Sequence, residues 1–201
     1  MEQECLPSIS SEEASRLLKT NLAAWNEMRE KFPRWRPDLS GINLSGLTLD
    51  GVNLMGVDLS NADLSGTRLC LATLTGATLA GASLTDANFH GASLSGSNFT
   101  EANLKRTDLS GTVLIKANFT FAEGPWANFA AAQLIEADFT SATLTGARFI
   151  NADLKNSWLV DTNLAGADLS LADLRGAQFS GVNLSNARLE GTLFWFQEPT
   201  K

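Results

Sequence analysis

The stretch ADLSGTRLCLATLTGATLAG (residues 62–81) consists of four five-residue units, each with Leu at its third position. The same spacing continues from Leu39 to Phe194, and every fifth residue in that range is Leu or Phe except Gly124. A small residue, mostly Ala, stands two positions before each of these central residues, and Asp or Asn commonly stands one position before. Of the 16 glycines, 15 lie two positions after a central residue. A repeat of this length defines the architecture of the chain.

A five-residue period matches neither the 3.6-residue period of a helix nor the alternation of a strand. It fits one side of a four-sided coil, with the Leu or Phe inside and Gly at the corner, where a positive φ has no steric cost. Four sides make a coil of twenty residues, and such coils stack at the sheet spacing of roughly 4.8 Å. The sequence therefore predicts an all-β solenoid, a four-sided β-helix of about eight coils.

The units ADLSG (62–66), ANFHG (87–91), ANLKR (102–106) and ADLSL (167–171) resemble the tandem units of the pentapeptide-repeat family. The resemblance covers residues 38–196 and implies that the β-helix is right-handed. The AWN (24–26) and PDLSG (37–41) segments resemble the start of the repeat region in many bacterial members, so we expect a bacterial protein.

Residues 1–37 are predicted to form an N-terminal α-helical cap, residues 38–196 the repeat β-helix and residues 197–201 a C-terminal tail. Apolar residues at three-and-four spacing predict one amphipathic helix over residues 11–32, with Ser10 and Glu13 as a capping box. A solenoid needs its open ends covered, so we expect this helix to lie over the first coil. The alternative is that its apolar side recruits a partner helix.

The C-terminal segment TLFWFQEPTK (192–201) concentrates apolar residues at the other end of the solenoid. Trp195 and Phe196 either fold over the last coil or lie in a homodimer contact through this end. Pairing through the end is what the family resemblance implies, although the helix associated with such pairing is missing from this sequence.

Little in the sequence indicates catalysis. The chain has a single histidine, His90, and no tyrosine, and it contains no nucleophile, phosphate-loop or metal-ligand motif. The two cysteines match no metal or redox spacing. We therefore expect no enzyme activity, no cofactor and no metal. A ligand pocket inside the solenoid is also disfavoured, because Leu and Phe fill the bore.

The net charge of −7 argues against direct binding to nucleic acid or to an anionic membrane. The N-terminus lacks the basic and apolar regions of a signal peptide, and no apolar run approaches the roughly 18 residues of a membrane span. The expected location is the cytoplasm.

Central residues twenty positions apart share a side of the solenoid, so each charge can be assigned to a side. The side through Leu39 is predicted to hold acids and no base. Trp158 stands on the same side, where the repeat places a solvent-facing residue, and is therefore a candidate interaction residue. The alternative is that its ring covers neighbouring coil edges. The acids of this side are Asp38, Asp58, Glu101, Asp138 and Asp161.

The segment FAEGPWANF (121–129) interrupts the repeat at Gly124 without changing its register. Because Pro125 has no N–H, we predict a local bulge here, with the rings of the flanking Phe119 and Phe129 leaning into the space at Gly124. Phe121 and Trp126 occupy corner positions where Gly is usual. The open question is whether Trp126 covers the gap or is displayed outward as a binding residue.

Two functions remain from these observations. The first is a non-catalytic protein-interaction scaffold with a rigid acidic surface, whose partner the sequence does not identify. The alternative follows from the family resemblance. Some pentapeptide-repeat proteins mimic B-form DNA, bind type II topoisomerases and protect gyrase from quinolones or peptide toxins, and an acidic rod is compatible with that role.

Overall fold

The computed structural model describes residues 9–194, which form two helices followed by stacked coils. Helix α1 spans Ser11–Thr20 and helix α2 spans Leu22–Lys31. From Asp38 onward, the described chain makes single-residue parallel β-bridges that recur every five residues, and no longer strand occurs within residues 9–194.

The single helix predicted over residues 11–32 is wrong, because Asn21 divides it into two. Asn21 has φ −149° and ψ 82°, and its side-chain oxygen accepts a hydrogen bond from the Ala24 N–H at 3.0 Å. An Asn side chain competes with the helix backbone in this way and favours N-cap positions. The predicted capping box is confirmed, since Ser10 and Glu13 each accept the other's backbone N–H.

The β-bridges join residues twenty positions apart, as in the pairs Asp38–Asp58 and Asn43–Asp63. Each coil therefore contains twenty residues and four bridged positions, one on each side. Coil 1 is residues 37–56, and each later coil begins twenty residues further on. Sides 1 to 4 are named from the bridged positions of coil 1, which are Asp38, Asn43, Thr48 and Asn53.

The unit 62–66 illustrates the hydrogen bonds that hold each unit in place. The Asp63 N–H donates to the coil below, and the N–H groups of Leu64 and Gly66 donate to the coil above. The Ala62 N–H closes a turn within its own coil. Ser65, the residue after the central Leu, has no backbone acceptor, and its N–H donates to the Asp63 carboxylate at 3.0 Å.

The bulge predicted in FAEGPWANF is wrong, and this bonding pattern gives the reason. Pro125 occupies the position whose N–H has no backbone acceptor in any described unit, so proline removes no hydrogen bond between coils. Its neighbours keep theirs: the Gly124 N–H donates to the Thr143 carbonyl at 2.8 Å, and the Trp126 N–H to the Thr145 carbonyl at 2.9 Å.

The space at Gly124 is closed mainly by the leucines above and below it. A Cβ atom at Gly124 would lie 2.8 Å from Leu144 Cδ2 and 3.2 Å from Leu104 Cβ. The rings of Phe119 and Phe129 meet edge to face with centroids 5.6 Å apart. Other facing Phe rings of the core have nearly the same separation, so these two do not lean specially into the gap.

Stacked aromatic rings fill the middle of the bore. Phe119 stacks on Phe99 and on Phe139 with ring centroids 4.7 Å apart, and Phe129 stacks on Phe149 at 4.8 Å. All five side chains are fully buried. Such pairs add to the stability that comes from apolar burial, and they leave no interior channel at this level.

The corner residues share one backbone conformation whatever their side chain. Fifteen Gly residues have φ between 62° and 78°, and sixteen other corner residues have φ between 54° and 62°. This left-handed conformation costs an ordinary L-residue roughly 1–2 kcal/mol. Corner side chains lean toward the next coil, as at Gly91, where an added Cβ would lie 2.9 Å from Leu71 Cδ2.

Three side chains of α2 bind the lower edge of coil 1 on side 4. Asn26 accepts a hydrogen bond from the Asn53 N–H at 2.9 Å, and Trp25 Nε1 donates to the Asn53 carbonyl at 2.9 Å. Arg29 donates to the Met55 carbonyl. In later coils the equivalent groups bond to the backbone of the coil below. The helix side chains therefore replace the backbone of a coil that would precede coil 1.

The described chain ends at Phe194 in coil 8. Apolar side chains of this coil are more exposed than those below it, with Phe179 38% and Leu193 49% exposed. Trp195 and Phe196, which were predicted to fold over this end or to form a dimer contact, lie outside the described residues. Both roles therefore remain predictions.

The contact of α2 with coil 1 gives a stability prediction. Asn26→Ala should lower the free energy of unfolding by roughly 1–3 kcal/mol, because the half-buried Asn53 N–H loses its acceptor. The loss should appear although Ala favours helix more than Asn does. Urea unfolding followed by circular dichroism measures the change. Glu30→Ala, on the exposed side of the same helix, should stay within about 0.5 kcal/mol of wild type, and equal losses in the two variants would contradict this role of Asn26.

Candidate protein-interaction surface

The five acids assigned to one side occupy two kinds of position in the repeat. Three of them, Asp38, Asp58 and Asp138, are bridged positions of side 1. Glu101 and Asp161 are corner residues between sides 1 and 2, with φ of 58° and 54°. All five carboxylates therefore lie on side 1 or at its edge.

None of these five acids forms an ion pair with another residue in the 9–194 range. The ion pairs of this part of the chain use acids on other sides or at other corners, such as the pairs Arg68–Asp50 at 2.7 Å and Lys116–Glu136 at 3.4 Å. Within residues 9–194, these five carboxylates are therefore not neutralised by an ion pair.

One base does approach the lower end of side 1. The Arg36 side chain lies over Gly56, the corner residue just before the bridged position Asp58. A Cβ added at Gly56 would collide with the Arg36 side chain. The assignment of charges to sides took account only of the repeat and so omitted this residue, which precedes coil 1. The acids Glu101, Asp138 and Asp161 lie in coils 4 to 7, away from Arg36 and the N-terminal helices.

Trp158 lies directly above Asp138 on side 1. The two residues form a β-bridge, and a second bridge joins Trp158 to Gln178 in coil 8. The Trp158 N–H donates to the Ala137 carbonyl at 2.9 Å, and its carbonyl accepts the Phe139 N–H at 2.7 Å. The regular backbone leaves the side chain on the outside, where it is 51% exposed.

The fold brings Phe121 to the same region. Phe121 is 59% exposed and occupies the corner between sides 1 and 2, one coil above Glu101 and two coils below Asp161. Its N–H donates to the Thr140 carbonyl of coil 6 at 3.1 Å. Sequence proximity grouped Phe121 with Trp126, but position in the coil places it beside the acids of side 1.

We call Phe121, Asp138, Trp158 and Asp161 the aromatic–acidic cluster. Two coil steps separate Phe121 from Trp158 along the solenoid, which is roughly 10 Å at the spacing of paired strands. Three residues separate a bridged position from its corner, which is at most about 10 Å of chain. The cluster therefore places two aromatic side chains and two carboxylates in a patch of about 10 Å along the solenoid and about 10 Å around it.

Trp126 is displayed at a different corner, between sides 2 and 3. It is 60% exposed, and its ring lies over Gly146, where an added Cβ would come within 2.8 Å of Trp126 Cδ1. The corner residue below it, Arg106, binds Asp86 through two nitrogens at 2.6 and 2.5 Å. Trp126 therefore points outward and does not cover the gap at Gly124.

A column of reactive side chain types on side 3 was missed at the sequence level. Asp50, Cys70, His90 and Ser110 follow one another at twenty-residue intervals in the position after the central residue. The Nδ1 atom of His90 lies 2.9 Å from Ser110 Oγ. Burial, followed by the charge of Asp50, raises the pKa of the Cys70 thiol, which leaves it protonated and a poor nucleophile. The twenty-residue interval itself was the signal for this column.

Charges on side 4 of coils 6 and 7 neutralise one another. Asp173 accepts hydrogen bonds from the Arg175 guanidinium at 2.8 and 2.6 Å, and Lys155 lies 3.3 Å away. The Arg175 hydrogen bond is the main cause that lowers the pKa of Asp173 to about 2. The contrast with the aromatic–acidic cluster is that every carboxylate of this network has a cation within reach.

Within residues 9–194, no group of three or more His, Cys, Asp or Glu side chains is arranged to hold a metal ion. Neither of the described helices has the length and apolar character needed to cross a membrane. A shallow groove of about 260 Å³ lies between α1 and coil 1, lined by polar residues that include Ser11, Lys19 and Asp38.

The unpaired carboxylates around Trp158 give a prediction for fluorescence quenching. The ratio of caesium to iodide quenching should be higher at Trp158 than at a Trp without unpaired acids, because the acids attract the cation and repel the anion. Trp158→Phe should therefore lower the ratio of caesium to iodide quenching of the whole protein at low ionic strength. Trp126→Phe is the control, since Trp126 is similarly exposed but lies above the Arg106–Asp86 ion pair and has a single unpaired acid nearby, Glu123, against the two at Trp158. Equal changes in the two variants would contradict an unneutralised charge at Trp158.

The family model described as pentapeptide repeats (8 copies) matches residues 38–76 and 159–195, and the model of a pentapeptide repeat region matches residues 82–157. No curated protein matches the chain.

Two solved structures illustrate the similarity. HetL, a pentapeptide repeat protein involved in heterocyst differentiation regulation from the cyanobacterium Nostoc sp. strain PCC 7120, is 33% identical, with 78% of this chain and 76% of HetL covered and a TM-score of 0.35. A trypsin-treated variant of QnrB1, a plasmid-mediated fluoroquinolone resistance protein, is 22% identical, with 77% and 89% covered and a TM-score of 0.60. The chain thus belongs to the pentapeptide-repeat family, whose solved members imply a right-handed, four-sided β-helix.

Proposed function

We propose that this protein is a non-catalytic, cytoplasmic scaffold that binds another protein through side 1 of a rod of about eight coils. In this proposal α1 and α2 close the N-terminal end of the rod. The observation that carries the proposal is the aromatic–acidic cluster, which exposes two large aromatic side chains beside unpaired carboxylates. Exposed aromatic residues are characteristic of the centres of protein interfaces.

The exposure of Phe121 supports this function. Its left-handed φ is shared by all sixteen non-Gly corner residues and does not set it apart. Its ring, however, is 59% exposed and occupies the corner next to the unpaired acids of side 1. A large exposed aromatic side chain in such a position is characteristic of a protein contact.

Two observations support a role without catalysis. The bore is filled by stacked rings such as Phe119 on Phe139, so a substrate has no interior site there. In the column that contains His90, the Cys70 thiol has a raised pKa and is therefore a poor nucleophile. Ser110 contacts the Nδ1 atom of His90, but within residues 9–194 no third side chain is hydrogen-bonded to the imidazole to orient it, as a catalytic arrangement requires.

A second candidate is a DNA-mimicking binder of a type II topoisomerase such as gyrase, which would give protection from quinolones or toxins. The observation that favours it is the series of unpaired carboxylates along side 1, together with a net charge of −7. Arg36 at the lower end and the concentration of exposed aromatic residues in coils 5 to 7 favour a local protein contact instead. The similarity to QnrB1 supports the fold alone.

Affinity capture from native lysate tests the proposed scaffold. The wild type should retain a partner that is lost with the double variant Trp158→Ala, Asp138→Lys. The matched control is Trp126→Ala, Asp63→Lys, which removes an equally exposed Trp and reverses an unpaired acid on side 2. Asp63 and Asp138 each accept the N–H two residues later, so both reversals disturb the same local contact.

Loss of the partner with the side 1 variant alone supports the proposal, and retention of the same partners by both variants contradicts it. A gyrase supercoiling assay with the protein added, with and without a quinolone, tests the second candidate, the binding of gyrase. If micromolar protein neither inhibits supercoiling nor protects the enzyme, gyrase binding is excluded.

A further inference from the structure

We infer that the aromatic–acidic cluster binds arginine, so that the partner presents a basic, arginine-bearing protein segment to Phe121, Asp138, Trp158 and Asp161. The inference rests on the proposed function and specifies the chemistry of the partner at that site.

The charge of the cluster selects a cation. One oxygen of Asp138 accepts the Thr140 N–H at 2.9 Å, which leaves the other oxygen open to a partner. Asp161 makes no side-chain hydrogen bond within the described residues, and its carboxylate lies over Gly181, whose missing side chain leaves it accessible. Neither carboxylate has an ion pair in residues 9–194, so a docking cation would meet two unneutralised charges.

The protein does not supply such a cation from its own neighbouring corner. Lys116 is the closest base along the adjacent corner column, between sides 4 and 1, and its amine lies 3.4 Å from Glu136 in the coil above. That pair is exposed and electrically balanced. The cluster is thus an acidic surface beside a neutral one. The electrostatic attraction for a basic segment is therefore stronger at the cluster than at the neighbouring corner.

The aromatic side chains favour arginine over other cations. The face of an indole ring attracts cations most strongly among the aromatic side chains, and Trp158 is half exposed. A guanidinium stacks flat on such a ring and can also form two parallel hydrogen bonds to a carboxylate, which a lysine amine cannot do. Asp138 lies directly below Trp158, so both interactions are available to one side chain.

The size of the cluster limits what it can bind. A patch of roughly 10 Å in each direction accommodates one or two long side chains and their backbone, and it has no groove that would enclose a helix. Phe121, on the far side of the patch, offers a second aromatic surface for the aliphatic stem of the same residue or for its neighbour. An extended basic segment that crosses the corner fits this arrangement.

The experiment uses defined peptides and the full-length protein. The probe is a fluorescein-labelled peptide of alternating Gly and Arg, compared with the same peptide carrying Lys or the uncharged citrulline in place of Arg. Fluorescence anisotropy should give a dissociation constant roughly threefold to tenfold lower for the Arg peptide than for the Lys peptide. The citrulline peptide should not bind, and added salt should weaken the binding of the other two.

Variants of the cluster locate the binding site. Trp158→Ala should weaken binding of the Arg peptide by about fivefold to tenfold, and Trp158→Leu should do the same because it keeps apolar area without the aromatic face. The double variant Asp138→Asn, Asp161→Asn should weaken it by about tenfold. The controls Trp126→Ala and Asp63→Asn should stay within about twofold of wild type. Thermal unfolding of each variant verifies that the fold is kept.

Four results would overturn the inference. The first three are equal binding of the Arg and citrulline peptides, absence of Arg-peptide binding, and equal losses in Trp158→Ala and Trp126→Ala. The fourth is self-association that depends on Trp158, because a second copy would then be the occupant. Failure of this inference can be distinguished from failure of the proposed function. If lysate capture depends on side 1 while the Arg peptide does not bind or compete, the scaffold role stands and only the arginine inference falls.

Discussion

The structure depends on the hydrogen bond between each central residue and the coil above it, as between the Leu64 N–H and the Ser83 carbonyl at 2.8 Å. Stacking at twenty-residue intervals fixes the direction of every position in the unit. The central residue points into the bore, the position after it needs no backbone acceptor, and the corner takes a left-handed φ. Residue type can therefore vary freely only at positions on the outside of the solenoid. It is at these positions that this chain differs from a uniform repeat.

The distribution of outward charge follows from that constraint. On side 4, Asp173 finds Arg175 within its own unit and Lys155 in the coil below, and the charges cancel. On side 1, the bridged neighbours of Asp138 are Asn118 and Trp158, and no cation is placed beside it among the described residues. Because stacking fixes the backbone position of each outward residue, the carboxylates of the aromatic–acidic cluster have no basic residue as a bridged neighbour within residues 9–194.

The repeat register was predictable from sequence because one Leu or Phe per five residues must be buried to form a core. Its local consequences were not. Asn21 divides the N-terminal helix through a side-chain hydrogen bond that competes with a good amphipathic pattern, and Pro125 causes no bulge because its position donates no backbone bond. The acids were assigned to a side by counting, whereas the proximity of Phe121 to Asp161 required the corner columns to be followed over two coils.

Site-specific photocross-linking tests most directly whether side 1, at its corner with side 2, contacts a protein partner. Thr140 and Thr145 occupy the same position of consecutive units in coil 6, on side 1 and side 2 respectively, and both are half-buried. Thr140 lies beside the aromatic–acidic cluster, and the Thr145 carbonyl accepts the Trp126 N–H. Benzoylphenylalanine at residue 140 should cross-link a partner in lysate that the same group at residue 145 does not. Cross-linking only from residue 145, or equally from both positions, would contradict the assignment of the binding surface to side 1.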